Sequence, residues 1–311
     1  MTTALLINPI SGRGKGRKLA ESLQGHLKTS GVTCELHYTR APREAIEIVR
    51  ALAARHDRIL IAGGDGTWCE AVNGAMAAAH RPVLGLIPIG TGNDFAKMLG
   101  YDNDWQAACK AIANGRTRLV DIGRCRYGLS REPVMGLSGQ DAEGICRYFA
   151  NGVGIGFDAE VSREAQRIRY LHGNAVYLLA LARTLLLSYA TPHVTIEHDR
   201  GTLQQTITLI AAANGRCYGG AFYIAPDARV DDGYLELVCA RGLSRLRILG
   251  LLPKVLRGRH IDSPDVTTLR TRHMIVRSDV PLPVHLDGEV LTEEATHLEI
   301  DLLPRSLEVC A

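Results

Sequence analysis

One stretch limits the fold more than any other. Ile59-Leu60-Ile61-Ala62 is an unbroken apolar run that ends in Gly63-Gly64-Asp65-Gly66-Thr67 and passes into an Ala-rich helical segment. A short run that is apolar on both sides suits a central strand covered on both faces. The glycines permit positive φ and let backbone approach a ligand with no Cβ in the way. Thr67 with Glu70 three residues on reads as a capping box, so a helix N-terminus is expected to point back at the turn. Backbone N–H groups and the helix dipole together make an anion site, most often used for phosphate. Asp65 admits two readings. A carboxylate beside a phosphate needs a compensating cation, and Mg²⁺, bound directly or through water, is the natural one. Alternatively, the turn is simply tight and Asp65 only caps backbone.

The pattern recurs. Pro82 to Ile87 is a second buried strand, and Pro88-Ile89-Gly90-Thr91-Gly92-Asn93-Asp94-Phe95-Ala96 is a second glycine turn opening a helix. Before them come a strand at Ala4 to Asn8, a glycine-basic loop from Ser11 to Arg17, and a helix with Leu19, Leu23 and Leu27 on one face. A strand at Thr33 to Tyr38 and a helix at Arg43 to Ala54 follow, and after the second turn a helix at Trp105 to Asn114 and a strand at Thr117 to Ile122. The basic loop lacks the G-x-x-x-x-G-K-[ST] spacing of a Walker loop. Alternating strands and helices predict a doubly wound parallel α/β sheet, and both glycine turns lie at strand C-termini, where open α/β sheets bind ligands.

From about Cys125 the chain becomes strand-rich, with helical stretches only near Leu171–Ser188 and Ser244–Leu256. A length of 311 residues accommodates two domains. The expectation is an α/β domain over 1–124 and a β-rich domain over 125–311, the C-terminal tail docking back on the first. The polar segment 127–144 reads as a hairpin tip or mobile insert. A net charge of +3 gives no case for nucleic acid. Eight scattered cysteines without a CxxC pair read as reduced cytosolic thiols. Met1-Thr2-Thr3 leads into a strand with no signal peptide, and Ala175 to Leu187 is too short to span a bilayer and holds Arg183. The eleven histidines show no metal-ligand spacing.

Six patterns stand in order: Asn8-Pro9-x-Ser11-Gly12, Gly63 to Thr67, Pro88-x-Gly90-Thr91-Gly92-Asn93-Asp94-Phe95-Ala96, Gly154-x-Gly156-x-Asp158-Ala159, Pro226-x-Ala228-x-x-Asp231-Asp232-Gly233 and Asp287-Gly288-Glu289. Together, over essentially the whole chain, they resemble the diacylglycerol kinase catalytic family, in particular the bacterial lipid kinases related to sphingosine and ceramide kinases. The resemblance implies an N-terminal nucleotide domain like those of NAD kinase and 6-phosphofructokinase, a C-terminal β-sandwich domain that contacts lipid, and an active site in the cleft between them. It implies ATP contacts at Asn8, Pro9, Ser11, Gly12, Thr39, Gly63, Gly64, Asp65, Gly66, Thr67, Trp68, Cys69, Gly90, Thr91, Gly92 and Asn93. Cys69 stands where the family commonly has Asn, a local departure on the adenine or ribose side.

By the same resemblance Glu289 is the general base for a lipid hydroxyl, and Asp65 and Asp94 hold the Mg²⁺–ATP unit. Read alone, Asp287-Gly288-Glu289 is a plain β-turn. Asp232 is implied as a ligand of a second, structural Mg²⁺, with backbone carbonyls of Arg229 and Tyr234; an ordinary Asp-Gly hairpin is the other reading. Asp158 reads as structural or supporting, and His285 as a strand residue. The Leu171–Leu187 helix lies against lipid or in the core, and Lys254, Arg257 and Arg259 meet anionic headgroups or solvent. The function implied is ATP- and Mg²⁺-dependent phosphorylation of a membrane-lipid hydroxyl, diacylglycerol giving phosphatidic acid, by a cytoplasmic homodimer that touches the inner face of the membrane. A kinase of a soluble hydroxyl compound and a nucleotide-binding regulator without catalysis are the alternatives.

Overall fold

The computed structural model describes residues 2–128, 145–168 and 174–311. The chain divides into two compact units, Met1–Ile122 with Pro304–Ala311, and Gly123–Leu303. The N-terminal unit contains β1 (Thr3–Ile7), α1 (Ser11–Thr29), β2 (Glu35–Tyr38), α2 (Glu44–Leu52), β3 (Arg58–Gly63), α3 (Asp65–Met76), β4 (Val83–Pro88), α4 (Asp94–Met98), α5 (Trp105–Ala113) and the start of β5 (Thr117–Tyr127). Its parallel strands run in the order β2-β1-β3-β4. The order reverses between β1 and β3, so the switch point sits between the Asn8 and Gly63–Thr67 turns, where a doubly wound sheet opens a crevice for ligands. β1, β3 and β4 are almost wholly buried, as their continuous apolar sequence requires. Pro304–Ala311 belong to this unit: Val309 pairs with Leu84, and the Ala311 N–H donates to the Arg116 carbonyl.

Two local readings change. α3 begins at Asp65 with extended Gly64 as its N-cap, two residues before Thr67. Thr67 and Glu70 therefore form no capping box. The Thr67 hydroxyl instead accepts from Asn8 Nδ2 at 2.8 Å, and the Glu70 carboxylate accepts the N–H groups of Arg43 at 2.9 Å and Ala45 at 3.1 Å. Glu70 thus caps α2, its neighbour, whose first N–H groups would otherwise lack partners. The basic loop is the opening turn of α1, with Gly12, Arg13 and Gly14 left-handed before the regular helix.

The C-terminal unit adds β6 (Ile145–Phe149), β7 (Gly152–Gly156), α6 (Phe157–Arg167), α7 (Asn174–Leu187), β8 (His193–His198), β9 (Gly201–Ala213), β10 (Leu235–Arg241), α8 (Arg245–Val255), β11 (Val266–Thr271), β12 (His273–Leu286) and β13 (Glu289–Cys310), whose end re-enters the N-terminal unit. The strands pair antiparallel in the order β11-β10-β9-β7-β12-β13. β8 pairs with the early residues of β9 and β12, while β7 pairs with their late residues, so these two long strands serve both layers of a β-sandwich. Phe149, Ile155, Ile196, Ile210, Leu237, Val276 and Leu298 fill the space between. α6 is a helix beyond the two read from sequence. It buries only Phe157, Ala159 and Glu164, so its polar composition hides the apolar stripe. Of the 127–144 segment, 129–144 lie outside the described residues, as do 169–173.

Candidate active site

In the N-terminal unit three strand-to-helix turns are stitched together by side chains. Asn8 follows β1, and its amide reaches Thr67 in the first turn of α3. The Asp65 carboxylate accepts the N–H of Asn93 at 2.7 Å through Oδ2 and that of Asp94 at 2.6 Å through Oδ1, so it pins the second glycine turn to the first. Asn93 is left-handed at φ 50°, and its side chain bonds the Gly90 N–H and carbonyl, both at 3.0 Å, and Asn103 Oδ1 at 2.7 Å. The two turns approach so closely that a Cβ on Gly90 would fall 2.4 Å from Gly64 Cα, a contact that no side chain permits. Glycine is required there by backbone packing before any ligand is considered.

Beside these turns lies an open cavity of about 640 Å³ lined by Gly12, Arg13, Lys15, Lys18, Pro88, Gly90, Thr91, Asn103 and Trp105 among others. Backbone from two glycine loops together with three cations suits a polyphosphate. Lys15, Lys18, Asn103 and Trp105 are absent from the sequence-derived set. The two lysines follow the left-handed turn of α1, a sequence signal that reads equally well as a solvated face.

Other members of that set are placed differently. The N–H of Thr39, which is buried, donates to the Ile7 carbonyl at 3.1 Å, and the N–H of Asn8 donates to the Ala62 carbonyl at 3.0 Å, so both belong to the strand ends. Trp68 is stacked on Phe95 with ring centroids 5.1 Å apart, and both rings are buried. Cys69 is also buried, beside Asn73. The side chains of Trp68 and Cys69 are core, which leaves backbone as their route to a nucleotide. Asp94 is buried and ion-paired to Lys97 at 2.8 Å. Asp65 is therefore an internal fastener, both its oxygens accepting backbone N–H groups, while Asp94 holds Lys97 through Oδ1.

In the C-terminal unit Glu289 opens β13 directly after a two-residue turn. Asp287 and Gly288 have φ of 50° and 86°, and Leu286 pairs with Glu289 across them, the geometry of a tight hairpin. The tip is anchored. The Asp287 carboxylate accepts three backbone N–H groups, from Ala150, Asn151 and Gly152, each at 2.8 Å. Two residues before the turn, His285 is buried; its Nδ1 accepts the Gly288 N–H at 3.2 Å, which leaves Nε2 to donate to Asp158 Oδ2 at 3.2 Å. A Cβ on Gly154 would fall within 2.2 Å of both Asp158 and His285, so that glycine makes room for the pair.

Asp158, His285 and Gly288 form part of the lining of a second cavity, of about 140 Å³. Its remaining walls are mostly apolar, from Phe157, Leu181, Phe222, Val238, Leu251 and others on α6, α7, α8 and the sheet. His260 also lines it, its Nε2–H donating to the Ile224 carbonyl at 3.0 Å, and burial pushes its imidazole below the usual range. Pattern reading does not detect this cavity, because its walls come from elements far apart in sequence.

Asp232 is not placed as a metal ligand. Its Oδ1 accepts the Tyr234 N–H at 3.1 Å and its Oδ2 pairs with the Arg270 guanidinium, whose Nε also lies 3.1 Å from Glu236. Arg270 and Arg272 both stack on the Tyr234 ring, at 4.4 and 4.6 Å. Donors meet both oxygens, and a fixed cation already supplies the charge, so the residues do not fit a divalent ion. Adding Mg²⁺ without nucleotide is expected to leave the thermal midpoint unchanged in a melting scan. A Mg²⁺-dependent rise abolished by Asp232→Asn would show the ion displacing Arg270.

Comparison with known proteins agrees with both units. Residues 2–125 match the diacylglycerol kinase catalytic domain, and residues 151–311 match the YegS C-terminal NAD kinase beta sandwich-like domain. The chain is 31% identical over 307 residues to a diacylglycerol kinase of Mycobacterium tuberculosis, covering 98% of this chain and 93% of the relative. It is 30% identical over 289 residues to a diacylglycerol kinase of Bacillus subtilis, covering 92% and 88%. Among solved structures, a candidate diacylglycerol kinase from Bacillus anthracis str. Sterne shares the fold at TM-score 0.79 and 22% identity over 99% of this chain and 94% of that one. Yeast NADH kinase shares it more distantly, at TM-score 0.51 and 11% identity over 99% and 82%. With the doubly wound nucleotide unit, the sandwich unit and the six motifs in place, the chain belongs to the diacylglycerol kinase catalytic-domain family.

Proposed function

We propose that the protein is a lipid kinase that transfers the γ-phosphate of Mg²⁺–ATP to a hydroxyl of a membrane lipid, diacylglycerol first, giving phosphatidic acid. The observation that carries this reading is the apolar cavity of about 140 Å³ in the C-terminal unit. Its polar lining includes Gly288, whose next neighbour in the chain is Glu289. An apolar wall with a few polar groups at one place suits an acyl chain ending in a hydroxyl. A soluble sugar-like acceptor would find few hydrogen-bond partners there.

In this mechanism Glu289 takes the proton of the lipid hydroxyl as its oxygen attacks the γ-phosphorus, and the bond from that phosphorus to the bridging oxygen breaks to release ADP. Asp158 and His285 hold the turn before it, through the Gly288 N–H. The Gly63–Thr67 and Gly90–Asp94 turns, with Arg13, Lys15 and Lys18, cradle the phosphates. Phosphoryl transfer asks little covalent work of the protein, so positioning and charge supply most of the rate.

Membrane contact is part of the proposal. α7 and α8 line the cavity with Leu181, Ile248 and Leu251 and turn other leucines outward. Leu178, Leu186 and Leu187 on α7 and Leu246 and Leu249 on α8 are exposed, Leu186 and Leu187 at 75% and Leu246 at 81%. Lys254, Arg257 and Arg259 beside them are exposed cations. Leucines flanked by basic residues favour an anionic bilayer surface. No helix among the described residues is long and apolar enough to cross a bilayer. Supply of ATP and eight cysteines outside any disulfide support action from the cytoplasmic side.

The deciding experiment is transfer of labelled γ-phosphate from ATP to lipids in mixed micelles, with soluble hydroxyl compounds alongside. Labelled phosphatidic acid supports the proposal; label confined to a soluble product overturns it. Ala240→Phe, which places a ring in the cavity, is expected to lower lipid turnover by at least about tenfold. ATP affinity, measured by calorimetry, should not change.

A further inference from the structure

Glu35, His37 and His56 gather outside the lining of either cavity. Glu35 and His37 alternate on the edge strand β2, so their side chains leave the same face. His56 reaches them from the connection between α2 and β3. His37 Nε2 lies 2.9 Å from Glu35 Oε1, and His56 Nε2 lies 3.0 Å from Glu35 Oε2. One ligand atom from each residue lies within 4.8 Å of the others.

These contacts are ion pairs whose geometry does not make hydrogen bonds. Nε2 of His37 and both ring nitrogens of His56 are buried without a hydrogen-bond partner, and His56 is only 8% exposed. Leaving such an atom without a hydrogen bond is costly. Ligand atoms that crowd together without bonding one another are what a metal site produces, because their lone pairs converge on the ion and not on each other. At ligand distances of about 2.0–2.2 Å, tetrahedral ligands stand about 3.3–3.6 Å apart. The two contacts to Glu35, at 2.9 and 3.0 Å, need to open by only a few tenths of an ångström.

A second cluster of the same residue types makes the contrast. His273, Glu299 and Asp301 also come together. There Arg124 and Arg126 pair with the two carboxylates, and His273 hydrogen-bonds Asp301 at 2.7 Å. That cluster is an ion-pair network with its charge already balanced. Around Glu35 the ion pairs among the described residues are to His37 and His56.

We propose that Glu35, His37 and His56 bind a divalent transition-metal ion of the Zn²⁺ class. Two imidazoles and one carboxylate match that ion's ligand preferences, and water completes the shell on the side where Glu35 is half exposed. The ion ties the edge strand β2 to the connection that leads into β3. It is a structural clamp on the nucleotide unit, at the end of β2 away from Thr39.

The test uses the full chain, stripped with a chelator and titrated with Zn²⁺ against a chromophoric competitor, with Co²⁺ as a spectroscopic probe. The expected result is one equivalent of Zn²⁺ per chain, a tetrahedral Co²⁺ spectrum without thiolate charge transfer, and a higher melting temperature with Zn²⁺. His37→Gln and Glu35→Gln, whose side chains are partly exposed, should each weaken Zn²⁺ by at least about 100-fold, since losing even a supporting partner costs 10–100-fold. Cys34→Ser, one residue before Glu35, should bind as the unaltered chain does. Unchanged affinity in both His37→Gln and Glu35→Gln, a thiolate signature lost in Cys34→Ser, or no binding above the competitor would each overturn the proposal.

Discussion

Glu289→Gln is expected to lower phosphoryl transfer to diacylglycerol by about 10²–10⁴-fold, the usual contribution of a positioned general base, with ATP affinity and melting temperature unchanged. Gln has the same size and reach but cannot accept the proton, so the substitution isolates the chemical step. Glu289 is exposed at the first position of β13. Its placement is nevertheless rigid. The tip that carries it is held by three N–H groups on the Asp287 carboxylate and by the Gly288 N–H on His285. A side chain on a loose loop would sample many positions; this one directly follows a two-residue turn whose two residues are both tied down. The measurement is single-turnover transfer of labelled phosphate in mixed micelles. Turnover within tenfold of the unaltered enzyme would move the base assignment elsewhere. Glu289→Asp, which keeps the charge and shortens the reach, should fall between the two.

The fold was legible where sequence and burial share a period. Ile59 to Ala62 and Leu84 to Ile87 are apolar without interruption, and each is a strand buried on both faces. The glycine turns were legible for the same local reason, since each follows such a run and precedes a helix. What sequence spacing could not give are partners set by tertiary register. Glu70 sits three residues after Thr67, yet it caps α2, a helix that starts 26 positions earlier in the chain, at Glu44. Asp232 has the look of a cation ligand until β11 brings Arg270 against it. The cavity wall is assembled from α6, α7, α8 and strands, so no window of sequence contains it. Glu35 and His37 are close in sequence, but the third member of their cluster, His56, joins them only because α2 folds back on the sheet. In each case the residue type was visible and its partner was not.

Asp65→Asn is expected to reduce kcat/KM for ATP by about 10² or more, the cost of misplacing reacting groups by an ångström, and to lower stability by ~2 kcal/mol. The argument begins with the two N–H groups of Asn93 and Asp94, which Asp65 accepts on separate oxygens. Asn keeps one acceptor but turns an amide N–H toward a backbone N–H at the other, so one bond becomes a repulsion. Asn93 is held at φ 50°, a conformation that costs about 1–2 kcal/mol and persists only while its neighbours fix it. Released, the turn relaxes, and the packed approach of Gly64 and Gly90 is lost with it. Both loops then present their backbone N–H groups to the phosphates at the wrong places. ATP affinity by calorimetry and a melting scan read the two effects separately. If Asp65 served only as a ligand for the nucleotide's metal, Asp65→Asn would weaken ATP use and leave the melting temperature where it was. A fall in both, with Mg²⁺-free nucleotide binding weakened as well, identifies the fastener.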